Sequence, residues 1–511
     1  MRSSWCGESE RDACGQHDPV MSASARAALS CALVAIALGL CVCSEATQND
    51  ASSSKVSTGQ ATDLRNIVIV IHSQSSHYNA LAAGRLEEDF LQQAQKLQQV
   101  PPTIVLLHKV DEVAGAWTIF PALPRLLSTH GGSATWWFFC EEETRVDLER
   151  LRRLLGRYDH SKPWFLGRAL HDVSATIIHN FAFHEDPTSF HYPLFSSGWA
   201  LSQPLLASIV QRWTRESRRA DFTIDLKHEI ALYIWNKGQG TKLTPTPEFC
   251  IRDAEAQSGG TCATTVYTDP PQCGEPVEDD KIFFAIKTCH KFYIDRVPVL
   301  KRTWGTWASR LTFYSDTLDA DIPTVDLGVP NTERGHCAKT FAILERFNSD
   351  PTFERTPWLV IADDDSLLSV PRLQKLLSCY DPTEPVYLGE RYGYGLLTGG
   401  GYSYITGGGG MVFSREAVKK LMGGGCKCYS DDAPDDMVLG MCFKSLAIPA
   451  THSPQFHQAR PEDYPLDYLT SHSPVSFHKH WNTDPYHIYE RWLAGDDRTS
   501  SEGRVIGHRE L

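Results

Sequence analysis

Three consecutive carboxylates, Asp363, Asp364 and Asp365, directly follow a short apolar run, Trp358 to Ala362. A run of this length with β-branched residues predicts a buried strand. In open α/β sheets, ligands bind outside the carboxyl ends of the strands, so these acids would lie where a site is expected. Adjacent carboxylates repel each other unless a positive group lies between them, and a divalent cation that also bridges substrate phosphates would meet that need. The alternative is a solvated acidic turn.

Two further acids, Asp435 and Asp436, follow Pro434 and precede an apolar, helix-like segment, Met437 to Leu446. A carboxylate at the start of a helix can act as a general base. It can also do no more than cap the helix, which is the more frequent use of an aspartate there.

Two histidines, His478 and His480, lie on either side of Lys479 near the end of the chain. A neutral imidazole could complete a metal site that the three aspartates begin. The alternative is that both are surface histidines without a ligand.

A glycine-rich segment, residues 398–410, lies between the two acidic clusters. It has no Walker lysine and no G-x-G-x-x-G directly after a strand, so neither a P-loop nor a dinucleotide-binding turn is predicted. Glycine does allow the backbone to approach a bulky ligand closely. The aromatic residues between the glycines favour this interpretation over a flexible linker.

The acidic turn has a counterpart earlier in the chain. Without a gap, Trp136 aligns with Trp358 and Glu141–Glu143 align with Asp363–Asp365, and the match continues through the next helix and strand. Each copy alternates strands and helices, as in a doubly wound sheet. The alternative is a chance resemblance between two strand-and-helix units, but the length of the match favours two tandem copies of one α/β domain.

The predicted organisation is a signal or anchor region, a linker, a first half, a connector, a second half and a tail: residues 1–46, 47–64, 65–245, 246–279, 280–495 and 496–511. In the first half, glutamates replace the aspartate triplet, and each longer side chain would displace a metal by about one carbon–carbon bond. No Pro-Asp-Asp sequence follows them there. We therefore expect the first half to be a non-catalytic copy.

The 511-residue chain has a formal net charge of −13, which argues against nucleic acid and anionic membranes as partners. The uncharged run Ala27 to Cys43 and the small residues after it read as a secretory signal, and a membrane anchor is the less favoured alternative. The chain ends in His508-Arg-Glu-Leu511, which resembles a Lys-Asp-Glu-Leu retrieval signal. These features predict a soluble protein of the endoplasmic reticulum lumen and a retrieval receptor of the KDEL type as a partner.

Ten of the 15 cysteines lie beyond the signal region. An even number in an oxidising compartment predicts disulfides, and those at 250, 262 and 273 would brace the connector. Zinc is the weaker alternative, because Cys426-Lys-Cys428 lacks the usual two-residue spacer and no second pair supports it.

Taken together, the strand followed by Asp363–Asp365, the glycine-rich segment, Pro434-Asp-Asp436 and the late Phe477-His478 resemble the Fringe-like β-1,3-glycosyltransferases. The opening of the second half, Ile282 to Thr288 with Arg296, is also similar to the start of their donor site. The resemblance covers residues 280 to about 493 and implies a GT-A fold, so the chain is expected to hold two tandem GT-A-like domains. Within the family, the tandem arrangement and the chain end resemble the members that transfer glucose from UDP-glucose to O-linked fucose on thrombospondin type 1 repeats.

The resemblance also implies roles for individual residues in a metal-dependent, inverting transfer. Asp436, or its neighbour Asp435, would be the general base. Mn²⁺ would be held by Asp365, Asp363 and His478, although His457 and His480 compete for the place of His478. The UDP-sugar donor would be bound by Asp363, Asp364, Lys287, Thr288, Arg296, Gly408 and Gly409.

Three other functions remain open from the residues alone. A Fringe-like transferase could use another UDP-sugar. A lumenal lectin or chaperone for cysteine-rich modules would bind glycan without reacting. A metal-dependent hydrolase would use the same acids, but it would leave the glycine-rich segment unexplained.

Overall fold

The computed structural model describes residues 61–110, 115–252, 255 and 261–495. Two mixed sheets, each with helices on both faces, form the framework. The strands before residue 280 are β1 Ile67–Ile71, β2 Thr103–Leu106, β3 Trp136–Cys140, β4 Thr144–Val146, β5 Phe165–Gly167, β6 Ala169–Leu170, β7 Tyr192–Pro193, β8 Trp199–Ser202, β9 Phe222–Thr223, β10 Thr244–Pro245 and β11 Thr264–Val266. Those after it are β12 Ile282–Lys287, β13 Leu311–Ser315, β14 Val325–Asp326, β15 Trp358–Asp363, β16 Ser366–Leu368, β17 Tyr387–Gly389, β18 Arg391–Tyr394, β19 Tyr402–Ile405, β20 Met411–Ser414, β21 Ala450–His452 and β22 Ser476–His478.

The helices follow the strands in alternation. They are α1 His77–Lys96, α2 Leu123–His130, α3 Leu148–Leu155, α4 Gln203–Arg215, α5 Leu226–Trp235, α6 Val297–Arg302, α7 Cys337–Ser349, α8 Val370–Leu377, α9 Arg415–Gly423, α10 Asp435–Ser445, α11 Leu466–Thr470 and α12 Pro485–Trp492. The predicted α/β class is confirmed.

The two sheets correspond strand by strand. The first has the order β10-β5-β8-β3-β1-β2, and the second has β21-β17-β20-β15-β12-β13 with β14 added at its edge. The strand directions agree as well: β3 is parallel to β1 and antiparallel to β8, as β15 is parallel to β12 and antiparallel to β20. Trp136 pairs with Ser202 as Trp358 pairs with Ser414. The repeat seen in the sequence therefore has a matching topology, while the domain boundaries stay a prediction.

The central strands are apolar along their whole length because both faces are covered. In β15, Trp358 and Val360 point into one core, while Leu359 and Ile361 point into another on the opposite face. The same alternation in β3 explains its run of aromatic residues, all of which are buried.

The helix after the aspartates runs from Val370 to Leu377. Ser369 is its N-cap residue, but the Ser369 hydroxyl makes no capping bond and is buried without a hydrogen-bond partner among the described residues.

Four disulfides confirm the prediction from the cysteine count: Cys250–Cys262, Cys273–Cys379, Cys337–Cys428 and Cys426–Cys442. The second joins the connector to the residues just beyond α8. Both cysteines of the sequence Cys426-Lys-Cys428 are used in separate disulfides, so the zinc alternative is wrong. The remaining two cysteines of the described residues, Cys140 and Cys289, are buried thiols.

The predicted signal region, residues 1–46, and the terminal His508-Arg-Glu-Leu511 lie outside the described residues. Among the residues that are described, we find no helix with the length and apolar character needed to cross a membrane.

Candidate functional site

Three strand ends bring the predicted site of the second half together. In the sheet, Lys287 at the end of β12 pairs with Asp363 at the end of β15. Just beyond, β16 pairs with β22 so that Ser366 lies opposite His478. The pairing thus carries a histidine from the end of the chain to the acidic turn.

Asp363, Asp365 and His478 form a cluster in which one ligand atom of each residue lies within 4.8 Å of the others. The Nε2 atom of His478 is 3.1 Å from an oxygen of Asp365 and 3.7 Å from an oxygen of Asp363. Asp365 and His478 are buried, while Asp363 is partly exposed. Two carboxylates and an imidazole form a donor set that suits a divalent transition metal such as Mn²⁺.

The orientation of the His478 ring is fixed by its other nitrogen. Nδ1 lies 3.0 Å from the carbonyl oxygen of Gln458, to which it can donate, and this directs Nε2 towards the carboxylates. Gly408 lies against the same ring, and a Cβ atom there would overlap it. The neighbouring Gly409 donates its N–H to the side-chain oxygen of Gln458 at 2.9 Å. The absence of side chains therefore allows the glycine loop to pack beside the histidine.

Arg296 lies between two members of the acidic turn. Its Nη1 atom is 2.9 Å from an oxygen of Asp364 and 2.9 Å from an oxygen of Asp365. Thr288 donates its hydroxyl hydrogen to Asp364 at 2.7 Å. The positive charge that we expected between the carboxylates is thus supplied in part by the protein itself.

These contacts affect the two carboxyl groups differently. Burial and the neighbouring Asp365 raise the pKa of Asp364 to about 6. Burial would also raise the pKa of Asp365, but the His478 imidazole and then Arg296 lower it well below its usual range. Asp365 is therefore a carboxylate at neutral pH, as a metal ligand must be.

Lys287 joins the acidic turn to the start of α10. Its ammonium is 3.1 Å from Asp363 and 2.8 Å from Asp435. Thr340 on α7 donates to the same oxygen of Asp435 at 2.5 Å. Against the effect of burial, Asp363 and Asp435 raise the pKa of Lys287, and Lys287 in turn lowers the pKa of Asp435. Asp435 is consequently held as a buried, paired carboxylate.

Asp436 has a different environment from its neighbour. It is half-buried, and its side chain accepts hydrogen bonds from the backbone N–H of Met437 at 2.7 Å and from the backbone of Gly407. Burial and the charge of Asp435 raise its pKa to about 7. Such a group can accept a proton near neutral pH. The N-cap residue of α10 is Pro434, so neither aspartate occupies the capping position itself.

The competing histidines lie elsewhere. His457 is fully buried, its Nδ1 is 2.9 Å from the carbonyl oxygen of Ser476, and its Nε2 is 3.1 Å from His472. His480 is half-buried, and its Nε2 has no hydrogen-bond partner among the described residues. Of the three, His478 is the one that contacts the carboxylates.

The first half lacks this cluster at the equivalent position. Strand β4 pairs with β11 as β16 pairs with β22, and this puts Val266 where the second half has His478. His72, next to the end of β1, lies 4.0 Å from Glu141 as Lys287 lies beside Asp363. The cavity beside His72 and Glu141 has a volume of about 70 Å³, whereas Glu142 and Glu143 line a separate, open pocket of about 620 Å³.

A second group of potential metal ligands, Asp172, His179 and His228, is buried in the first half. His179 is 2.7 Å from Asp172 through Nδ1 and 3.1 Å from Asp225 through Nε2. Against burial, these two carboxylates raise the pKa of His179 to about 9. Both ring nitrogens therefore carry hydrogens that pair with carboxylates, which makes this group an ion-pair network.

Sequence reasoning missed several residues that hold the site in place. Thr340 contacts Asp435 from the first turn of α7, and Lys339 donates to the carbonyl oxygen of Thr288 at 2.7 Å. Gln458 supports both His478 and Gly409. None of the three stands in a motif, and only the tertiary fold brings them near the aspartates.

Comparison with known proteins gives consistent relatives. The sequence profile of the Fringe-like family matches residues 120–232 and 277–499. The chain is 56% identical over 472 residues to the human protein named "Beta-1,3-glucosyltransferase", with 91% of this chain and 94% of that protein covered. The mouse protein of the same name is 55% identical, with 88% and 91% covered. The zebrafish (Danio rerio) "Beta-1,3-N-acetylglucosaminyltransferase lunatic fringe" is 27% identical, with 42% of this chain and 62% of that protein covered.

Proposed function

Since this chain belongs to the Fringe-like family, we propose that it is a β-1,3-glucosyltransferase. The reaction is the transfer of glucose from UDP-glucose to the 3-hydroxyl group of O-linked fucose on thrombospondin type 1 repeats, which forms Glc-β-1,3-Fuc. The observation that supports the proposal is that Asp363, Asp365 and His478 lie close together, beside the acidic start of α10. The name shared by the human and mouse relatives supports the sugar and the linkage. The acceptor and the nucleotide rest on the motif resemblance.

Asp363, Asp365 and His478 would hold Mn²⁺, for which their oxygen and nitrogen atoms are suitable ligands. When bound, the cation supplies positive charge that stabilises the diphosphate leaving group. The residues proposed to bind the donor are Asp363, Asp364, Lys287, Thr288, Arg296, Gly408 and Gly409. Among these, Arg296 offers a planar guanidinium, which is well suited to phosphate oxygens.

Asp436 is proposed to act as the general base. Its carboxylate takes the proton of the fucose 3-hydroxyl while that oxygen attacks C1 of glucose. The bond between C1 and the diphosphate oxygen breaks on the opposite face, and UDP leaves with the electron pair. A positioned base of this kind contributes about 10²- to 10⁴-fold to the rate. Asp436 is preferred over Asp435 because Asp435 is already paired with Lys287 and Thr340, whereas Asp436 is half-exposed with a pKa of about 7.

The first half is proposed to be a non-catalytic copy of the GT-A-like domain. The glutamates at 141–143 and Val266 in the place of His478 support this role.

The protein is proposed to act in the lumen of the endoplasmic reticulum, where the terminal His508-Arg-Glu-Leu511 would be bound by a KDEL-type receptor. Eight cysteines paired in disulfides support an oxidising compartment.

A donor screen tests the proposal. The full-length protein is incubated with Mn²⁺ and an O-fucosylated thrombospondin repeat, and with UDP-glucose, UDP-galactose or UDP-N-acetylglucosamine, and the product mass is read. We expect a hexose to be added from UDP-glucose alone, and only when the acceptor carries fucose. Transfer from another donor would make the protein a different Fringe-like transferase, and acceptor binding without transfer would favour the lectin or chaperone.

A further inference from the structure

The small cavity of the first half is closed by residues of the second half. His72, Glu141, Asp225 and Lys227 line it from one side, and Glu390 and Arg391 line it from the other. His72 and Glu141 are the positional counterparts of Lys287 and Asp363, as the strand pairing shows. The part of the first half that corresponds to Lys287 and Asp363 is thus in contact with the second half.

Glu390 connects this contact surface with the site of the second half. It is buried directly after β17, and one of its carboxylate oxygens accepts a hydrogen bond from the backbone N–H of Gln458. The carbonyl oxygen of Gln458 is the partner of His478 Nδ1 at 3.0 Å, and its side-chain oxygen accepts the N–H of Gly409 at 2.9 Å. Gln458 therefore links Glu390 to the proposed metal ligand His478 and to Gly409 of the glycine loop.

The first half holds a charged group against the same cavity. The ammonium of Lys227 is 2.9 Å from Asp225 and lies 4.3 Å from the ring centroid of Tyr468 in α11. Asp225 is in turn bonded to the buried His179 at 3.1 Å. These contacts hold the ammonium of Lys227 beside the buried Asp225, next to the cavity.

A second contact fixes the two halves beside Glu390. The side chain of Gln74 donates to the carbonyl oxygen of His452 at 2.9 Å and accepts the N–H of His452 at 2.8 Å. Arg391 donates to Gln74 at 3.1 Å and lies 4.1 Å from the ring centroid of Trp117. Gln74 and Trp117 of the first half thus contact the end of β21 and the start of β18, next to Glu390.

We propose that Glu390 is a positioning residue for the metal-binding histidine, and that Lys227 of the first half supports it across the closed cavity. In this arrangement the first half takes part in the reaction without binding a donor. Glu390 fixes the backbone of Gln458, and Gln458 sets the tautomer and direction of His478 and the position of the glycine loop. The inference rests on the proposed metal-dependent transfer by the second half.

Removal of a residue that holds a metal ligand in place usually changes metal affinity or activity by about 10- to 100-fold. Glu390→Ala should therefore raise the dissociation constant for Mn²⁺, measured by calorimetric titration of the full-length protein in the presence of UDP, by about that factor. Glu390→Gln should retain most of the affinity, because its amide oxygen can still accept the N–H of Gln458.

Lys227→Met tests the contribution of the first half. Lys227→Met should weaken Mn²⁺ binding, but by a smaller factor than Glu390→Ala. The control is Lys237→Met, at an exposed lysine beyond α5, which should leave the Mn²⁺ affinity unchanged. Thermal unfolding and circular dichroism show whether each variant is folded. If Glu390→Ala does not fold, Gln458→Met replaces it, because that change keeps the backbone carbonyl but removes the acceptor of the Gly409 N–H. It should raise the half-saturating donor concentration more than it lowers kcat.

The outcomes separate this inference from the proposed function. Folded Glu390→Ala with unchanged Mn²⁺ affinity would overturn the role of Glu390, and equal affinity in Lys227→Met and Lys237→Met would overturn the support from the first half. Unchanged donor half-saturation in Gln458→Met would overturn the role of Gln458. A wild-type protein that binds no Mn²⁺ with UDP would instead overturn the proposed function on which the inference rests.

Discussion

The Nε2 atom of His478 lies 3.1 Å from Asp365, and the pairing of two strands that are remote in the chain brings them together. Ser366, directly after the aspartates, pairs with His478 across β16 and β22. The same pairing in the first half joins Thr144 to Val266, and a valine cannot bind a metal. At this strand pair, the second half has a potential metal ligand and the first half has none.

The packing of Gly408 on the imidazole gives a steric prediction. Gly408→Ala should reduce transfer by about 100-fold, because a Cβ would displace the His478 ring and misplacement by about 1 Å has this effect. The measurement is kcat/KM for the UDP-sugar at several Mn²⁺ concentrations. Gly400→Ala is the matched control, since it lies in the same glycine-rich segment and a Cβ there would meet no atom within 4 Å. Equal losses in both variants would contradict the account.

The pKa of Asp436 gives a pH prediction. A base must be deprotonated to accept a proton, so kcat/KM should rise with pH through about 7 and level off above it. Asp436→Asn should lower kcat by about 10²- to 10⁴-fold and should abolish this limb of the profile. A residual activity in Asp436→Asn that keeps the same pH limb would assign the base elsewhere.

Asp435 should contribute to the free energy of unfolding, whereas Asp436 should contribute little. Removal of one partner from a buried ion pair typically costs about 3–5 kcal/mol, and Asp435→Ala leaves Lys287 with Asp363 alone, so we expect about 3 kcal/mol. Because Lys287 lowers the pKa of Asp435, this contribution is present above the usual aspartate range and is lost as the pH falls below it. Urea unfolding at neutral and acidic pH measures it. Asp436→Ala is the control and should change the free energy of unfolding far less.

The sequence predicts those parts of the molecule that follow from local patterns. The apolar runs of β3 and β15 and the aspartates after β15 could be read directly, because strand and turn are set by neighbouring residues. The choice between His457 and His478 could not be made, since both follow a phenylalanine and only the strand pairing of β22 separates them. Glu390 and Gln458 carry no signal at all, because their roles depend on contacts between segments that are remote in the chain.

The disulfide between the connector and α8 gives a further stability prediction. Cys273 and Cys379 are separated by 106 residues, whereas Cys250 and Cys262 are separated by 12. In the chain-entropy model, the longer loop is restricted more in the unfolded state, and such a disulfide typically contributes about 2–4 kcal/mol. The double variant Cys273→Ser, Cys379→Ser should therefore lose more unfolding free energy than Cys250→Ser, Cys262→Ser. The reverse order would show that native contacts, rather than loop length, determine the effect.

We propose that glucose transfer needs the aspartate turn of the second half and does not need the glutamate turn of the first half. The most direct measurement compares Asp365→Asn with Glu143→Gln, which changes the aligned residue of the first half by the same chemistry. Both are assayed for glucose transfer from UDP-glucose to an O-fucosylated thrombospondin repeat, with folding checked by thermal unfolding. We expect Asp365→Asn to lose glucose transfer and Glu143→Gln to retain glucose transfer. Loss of transfer in a folded Glu143→Gln variant, or full activity in Asp365→Asn, would contradict it.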